Sequence, residues 1–387
     1  MTGSTLASTA DPLAWLAEES AAVRAAGLHR DPLARQSDSA EVNLASNDYL
    51  GLSRHPEVIA AAQRAVGVWG AGSTSSRLVV GTTRAHLDFE DDLADFLGTE
   101  AALVFSSGYL ANIGAITALA GRGDLIVSDT GTHASLIDGC RLSRARVVVV
   151  ERGDVDAVRR ELAARTERRA LVVTDSIYSI DGECAPIAGL HGAAHDAGAT
   201  LLVDEAHALG VRGPGGRGVV AECGLAGAPG LVVTAVASKS LGAQGGIVAG
   251  GTLLRSHLID RARTFIFDTG LNPAAVGAAH AALRILRDDP ELPVRLARSA
   301  SSFARAVGAD RPSSAVVSLI VGDPVAAVAA AAYCRDRGVL VGCFRPPSVP
   351  AGTSRLRVTV RADLSPSLLE EVAGIVDEAL RHVGVRR

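Results

Sequence analysis

The chain has 387 residues, too many for one small core and about right for one large and one smaller domain. Hydrophobic residues make up 48% and aromatics 3%, so the core must be aliphatic, and a net charge of −4 with interspersed signs argues against a nucleic-acid surface. Five cysteines (Cys140, Cys184, Cys223, Cys334, Cys343) without CxxC spacing read as reduced packing residues. No apolar stretch reaches the roughly 18 residues of a membrane span. The start, MTGSTLASTADPLAW, lacks the basic end and apolar core of a signal peptide, so a soluble cytoplasmic protein with no membrane partner is expected.

In chain order, residues 1–50 form an N-terminal segment with one amphipathic helix near 12–26, expected to pack beside the C-terminal part. Residues 51–285 are expected to form the large domain. Within it, short apolar runs recur: ALVFS (102–106), LIVSD (125–129), RVVVV (146–150), LVVTD (171–175), TLLVD (200–204), LVVTA (231–235) and GIVAG (246–250). They lack polar alternation, as strands covered on both faces do. Most gaps can hold a helix, and VDAVRRELAARTE (155–167) has helical spacing. The pattern predicts an α/β fold: a mostly parallel seven-stranded sheet with helices on both faces. The gap at SLGAQGG is too short for a crossover, so the strand at 246–250 should be antiparallel. Residues 286–387 should form a smaller α+β domain. From about residue 270 on, helical segments (272–288, 291–307) lead to AVVSLIV (315–321), a helix near 324–336, VLVGC (339–343), RLRVTV (355–360) and a last helix near 365–382.

Sheets of this kind bind ligands at the carboxyl ends of their strands. Those ends carry Ser106–Ser107, Asp129, Asp175 and Asp204, and Lys239 follows another strand at the same edge. Lys239 is the only lysine; every other position among the 38 Lys+Arg residues is arginine. Codon drift explains the arginines but not where the exception falls. An ammonium taken out of water can lose its proton and act as a nucleophile, which a guanidinium cannot do. In VDEAHALG (203–210), Asp204 could merely cap the next helix and His207 could be a loop residue. Together, however, Asp204, His207 and Lys239 suit pyridoxal phosphate: an amine for its aldehyde, a buried carboxylate for its ring nitrogen and an imidazole for its ring oxygen. SSGYLAN (106–112) adds Gly108 at a helix start suited to phosphate, and His133 in SDTGTHASL could lie flat on the ring.

Eight segments in order then resemble the α-oxoamine synthase family of fold-type I pyridoxal-phosphate enzymes. They are LASNDYLGLSRHP (44–56), GSTSSRLVVGTTRAHLDFE (72–90), FSSGYLAN (105–112), SDTGTHASL (128–136), TDSIYSIDGECAPI (174–187), LLVDEAHALGVRGPGGRG (201–218), SKSLGAQGG (238–246) and RPPSVPAGTSRLRVT (345–359). The resemblance implies that Lys239 holds the coenzyme and moves the α-proton, Asp204 meets the ring nitrogen, His207 the ring oxygen, and His133 stacks on the ring. It implies that Ser179 bonds the cofactor and that Ser107, Gly108 and Tyr109 lie against the phosphate. Thr269 would reach the phosphate of a neighbouring subunit, in a homodimer with shared sites. Asn47 and Arg357 would bind the amino-acid carboxylate, Ser348 would stand at the acyl site, and His29 or Arg30 would meet the acyl chain's distal carboxylate. The implied reaction joins an amino acid to an acyl thioester with loss of CO2. RPPSVPAGTSRLR is most similar to members that use L-alanine with pimeloyl-CoA or pimeloyl-acyl carrier protein. Glycine or serine with other acyl-CoAs is the alternative, and a catalytically silent scaffold, which would have shed Lys239 or Asp204, is the remaining one.

One position departs from the family. Where a phosphate-binding hydroxyl usually stands, three residues before the lysine, this chain has Val236. Weaker cofactor holding is expected unless Thr234, Ser238 or backbone amides substitute. HGAAH (191–195) has zinc-like spacing but lacks the Glu of HExxH, so a solvated helix face is expected and no metal site.

Overall fold

The computed structural model describes residues 11–30, 32, 34–37 and 40–385. The strands are β1 (Val42–Leu44), β2 (Ala101–Phe105), β3 (Leu125–Asp129), β4 (Arg146–Val150), β5 (Ala170–Asp175), β6 (Thr200–Asp204), β7 (Leu231–Val236), β8 (Gly246–Gly250), β9 (Val316–Gly322), β10 (Val339–Phe344) and β11 (Ser354–Thr359).

Seven of them form one sheet in the order β2-β8-β7-β6-β5-β3-β4. Its pairs are parallel except those that β8 makes with β2 and β7. The reason is chain length: the turn between β7 and β8 cannot hold a crossover helix, so the chain must return antiparallel. Successive side chains on a strand point to opposite faces. Leu201, Val203, Leu231 and Val233 therefore join one aliphatic core, and Leu171, Val173, Leu202 and Val232 join another on the opposite face. The same alternation turns Asp175, Asp204 and Thr234 towards the second face, which is covered by the helices Gly108–Leu119 and Ala134–Ser143. Register sets Asp175 opposite Asp204 and Asp204 opposite Thr234.

A second sheet runs β1-β10-β11-β9 and packs the helices Leu292–Ala306, Pro324–Arg335 and Pro366–His382 into a third core. Strand β1 joins it in parallel through β10, a link too short to show any periodicity in sequence. The N-terminal helix, Trp15–Ala25, forms within its expected span but buries none of its residues. Leu13, Trp15, Leu16 and Val23 are exposed, while the N-terminal segment meets the C-terminal part through β1. Contact comes just beyond it, where Arg345 donates to the carbonyls of Gly27 (2.6 Å) and His29 (3.3 Å). No described helix is long and apolar enough to cross a membrane.

Candidate active site

Strand ends and one turn build the site. Lys239 lies in the turn after β7, and its Nζ sits 2.8 Å from His207 Nε2. Removal from water pulls the amine down from an ordinary 10.5 to about 8; Arg357 lowers it further, against the attraction of Asp204 and Asp175. His207 is buried, and burial, with Lys239, Arg357 and His133 around it, holds its pKa well below 6.5. Its second nitrogen, Nδ1, lies 2.5 Å from the hydroxyl of Tyr49, which is also 3.3 Å from Asn47 Oδ1. The hydrogens can be assigned by elimination. An ammonium only donates, so with Lys239 protonated His207 accepts at Nε2 and donates from Nδ1 to Tyr49, which passes its own hydrogen to Asn47.

Asn47 Oδ1 also accepts from Arg357 Nη1 at 3.1 Å. The Arg357 guanidinium, buried on β11, donates as well to the Ser179 carbonyl (2.7 Å) and to Thr359 Oγ1 (3.1 Å). The large and small sheets thus meet through one hydrogen-bonded chain running from Lys239 to Arg357.

On the other side of the lysine, Asp204 accepts from Ala206 N (2.8 Å) and Asn112 Nδ2 (2.7 Å). Asp175 accepts from the backbone N–H of His133 at 2.8 Å, and burial beside Asp204 pushes its carboxyl well above the usual range. His133 caps the helix Ala134–Ser143 and keeps its ring exposed at the site. Burial of part of the ring, with Lys239 nearby, lowers its pKa, although Asp204 opposes this.

Ser107 caps the helix that begins at Gly108, its hydroxyl accepting from Leu110 N at 3.2 Å. A Cβ on Gly108 would stand 2.2 Å from Val236 Cγ1, so Val236 packs directly on that backbone. Tyr109 is exposed and donates to Asp138 at 2.6 Å, which raises its pKa. Thr234 Oγ1 is buried and has no hydrogen-bond partner, whereas Ser238 is exposed. Thr269 is exposed and forms an isolated bridge with Ser76. Ser348 is exposed in the loop after β10, where its N–H meets the Arg345 carbonyl at 3.0 Å; through Arg345 that loop also holds the His29 carbonyl. Arg30 is exposed. The structure therefore gathers Lys239, His207, Asp204, His133, Asn47 and Arg357. Ser348 and His29 are each linked to Arg345 through a backbone atom, and Thr269 is exposed.

Tyr49, Asn112 and Asp175 belong to the cluster but were not among the residues proposed from sequence. Asp175 had signalled itself as a strand-end carboxylate, and Tyr49 and Asn112 lie inside quoted motifs. His191 and His195 stack on one exposed helix face, centroids 5.9 Å apart, and no metal-binding group of three or more ligands occurs among the described residues.

A lone amine facing a buried carboxylate across the strand ends of this sheet defines the fold-type I pyridoxal-phosphate enzymes. The family description "Aminotransferase class I and II" matches residues 39–376. The chain is 59% identical over 370 residues to an 8-amino-7-oxononanoate synthase of Mycolicibacterium vanbaalenii, covering 95% of this chain and 97% of that one. It is 60% identical over 355 residues to the synthase of the same name from Mycolicibacterium gilvum, covering 92% and 93%. Among solved structures, Sphingomonas wittichii serine palmitoyltransferase superposes with a TM-score of 0.90 at 33% identity, covering 98% of this chain and all (100%) of that one. The chain belongs to the aminotransferase class I and II family and, within it, to the pyridoxal-phosphate-dependent 8-amino-7-oxononanoate synthases.

The residues present fit that coenzyme. A depressed amine, a buried carboxylate, an unpartnered buried hydroxyl at Thr234 and a helix start at Gly108 too tight for any side chain are the features it requires.

Proposed function

We propose that the protein condenses L-alanine with a pimeloyl thioester, giving 8-amino-7-oxononanoate, CO2 and free thiol, in biotin synthesis. The observation that carries this reading is the chain linking Lys239 through His207, Tyr49 and Asn47 to Arg357, which joins an amine that releases its proton near neutral pH to a fork suited to a carboxylate. The coenzyme, when bound, supplies the electron sink for the amino acid's α-carbon. Lys239 Nζ would hold the coenzyme and is the base placed to take the α-proton. Asp204 would keep the charge at the ring nitrogen, His207 would bond the ring oxygen, and His133 would cover the ring. The amides at Gly108–Tyr109, with Ser107, Ser179 and Thr234, would hold the remaining polar groups, and the unpartnered Thr234 hydroxyl supports compensation for the missing hydroxyl at Val236. Asn47 and Arg357 fix the alanine carboxylate until it leaves as CO2. The new C–C bond joins the alanine α-carbon to the thioester carbonyl, and the C–S bond breaks to give the thiol.

Ser348 and His29 or Arg30 are assigned to the acyl chain; in support, the Arg345 loop that carries Ser348 also bonds the His29 carbonyl. The working unit is a homodimer with shared sites. The exposed run Leu78–Val80, with exposed Phe267 and Thr269 further on, supports a covered face there. The test is a panel of alanine, glycine and serine against pimeloyl-CoA, pimeloyl-acyl carrier protein, acetyl-CoA and a long-chain acyl-CoA, read by thiol release. Alanine with a pimeloyl thioester should exceed every other pair by at least tenfold. Equal or faster turnover of glycine or serine would overturn the assignment.

A further inference from the structure

Asn112 is buried in the helix Gly108–Leu119, and its side-chain nitrogen meets two oxygens: Asp204 Oδ2 at 2.7 Å and Ser135 Oγ at 2.9 Å. A carboxylate only accepts, which fixes the amide with its nitrogen towards Asp204. Both N–H groups are then used, one on Asp204 and one on Ser135. Ser135 Oγ, already accepting, has a single hydrogen to give, and the remaining neighbour is His133 Nδ1 at 2.8 Å. The Ser135 backbone N–H points at the same nitrogen, 3.3 Å away. Two donors converge on Nδ1, which therefore bears a lone pair. The neutral ring must carry its hydrogen on Nε2, which has no partner among the described residues.

The arrangement leaves a trace elsewhere. The amide oxygen of Asn112 is buried with no hydrogen-bond partner, although buried polar atoms nearly always find one. Turning the amide over would set its oxygen against the Asp204 carboxylate, two acceptors in contact. The unpaired oxygen is the consequence of aiming both N–H groups at Asp204 and Ser135.

We propose that Asn112 and Ser135 are positioning residues that lock His133 as the Nε2–H tautomer and tie its orientation to Asp204. His133 then offers a hydrogen-bond donor at the ring-covering position and has no lone pair there. It can orient a carboxylate or a thioester carbonyl, but it cannot remove a proton from carbon, which leaves that task to Lys239. This last consequence rests on the reaction proposed above; the tautomer itself does not.

The experiment uses the full-length, coenzyme-loaded protein labelled with 15N-histidine, with the His133 resonances assigned by their loss in His133→Gln. In long-range proton–nitrogen spectra at neutral pH, Nδ1 should show the shift of an unprotonated nitrogen and Nε2 that of a protonated one. Ser135→Ala should shift the tautomer ratio towards Nδ1–H by about tenfold, equivalent to about 1.4 kcal/mol and within the range of one hydrogen bond, and Ser135→Thr should restore the wild-type ratio. KM for the amino acid should rise more than kcat falls in Ser135→Ala. The wild-type spectrum decides without depending on any variant's folding. An Nδ1–H pattern in wild type, or a Ser135→Ala protein that melts normally with an unchanged ratio, overturns the proposal. A protein inactive towards alanine but showing the Nε2–H pattern would overturn the reaction and uphold this assignment.

Discussion

The depressed Lys239 amine gives the most quantitative expectation. With a pKa of about 8 against an ordinary 10.5, roughly 9% of the amine is free at pH 7, compared with roughly 0.03% for a solvated lysine. That is a gain of about 300-fold in nucleophile. The perturbation is pH: apoprotein is mixed rapidly with pyridoxal phosphate and the growth of visible absorbance is timed, with a small lysine derivative run in parallel under the same conditions. The rate should climb about tenfold from pH 6 to 7 and level off above 8. Arg357→Met should move the bend upward, because Arg357 is one of the causes that lower the amine. A rate that keeps rising tenfold per unit through pH 10 would show a solvent-like lysine and refute the reasoning.

Three further expectations follow from packing and charge. Gly108→Ala places a Cβ 2.2 Å from Val236 Cγ1, and overpacking of this kind costs about 1–3 kcal/mol; it should weaken coenzyme binding, and the double variant with Val236→Ala should recover most of the loss in a binding titration. Arg357→Lys removes the fork that holds Asn47 and the Ser179 carbonyl, so KM for the amino acid should rise about 10- to 100-fold, read in steady-state kinetics at a temperature where the variant remains folded. His86 is fully buried between Thr83 and the Leu271 carbonyl, and burial lowers its pKa to about 4. Between pH 6.5 and 4 the unfolded chain binds the proton that the folded one refuses. Stability is therefore intact above 6.5 and falls as pH drops towards 4, by up to about 3 kcal/mol, which denaturant titrations of wild type and His86→Gln would reveal as a flatter profile in the variant.

The large sheet was legible because each of its strands is an uninterrupted aliphatic run, and the short turn after β7 alone determined that β8 runs antiparallel. The helices Pro56–Trp69 and Arg84–Leu97 lie among motif residues and are bounded by Pro56, Gly70, Thr83 and Gly98, signals the strand pattern does not use. The segment β1 is a strand only because it pairs with β10, nearly three hundred residues away. Lys239, Asp204 and His207 could be singled out by chemistry and by their places at strand ends. Tyr49 could not, since nothing local marks a tyrosine as the partner of a histidine at position 207. Asn112 was hidden for the same reason: its neighbours Asp204 and Ser135 come from different elements. The N-terminal helix shows the opposite failure, because amphipathic spacing was present but its apolar face found no cover within the described chain.

Borohydride reduction of the coenzyme-loaded protein, followed by proteolysis and mass spectrometry, is the most direct check on where the chemistry sits. The coenzyme's mass should appear on the single peptide containing Lys239 and nowhere in Lys239→Arg. Label on the N-terminal amine, or a variant that still binds the coenzyme covalently and turns over alanine, would contradict the account.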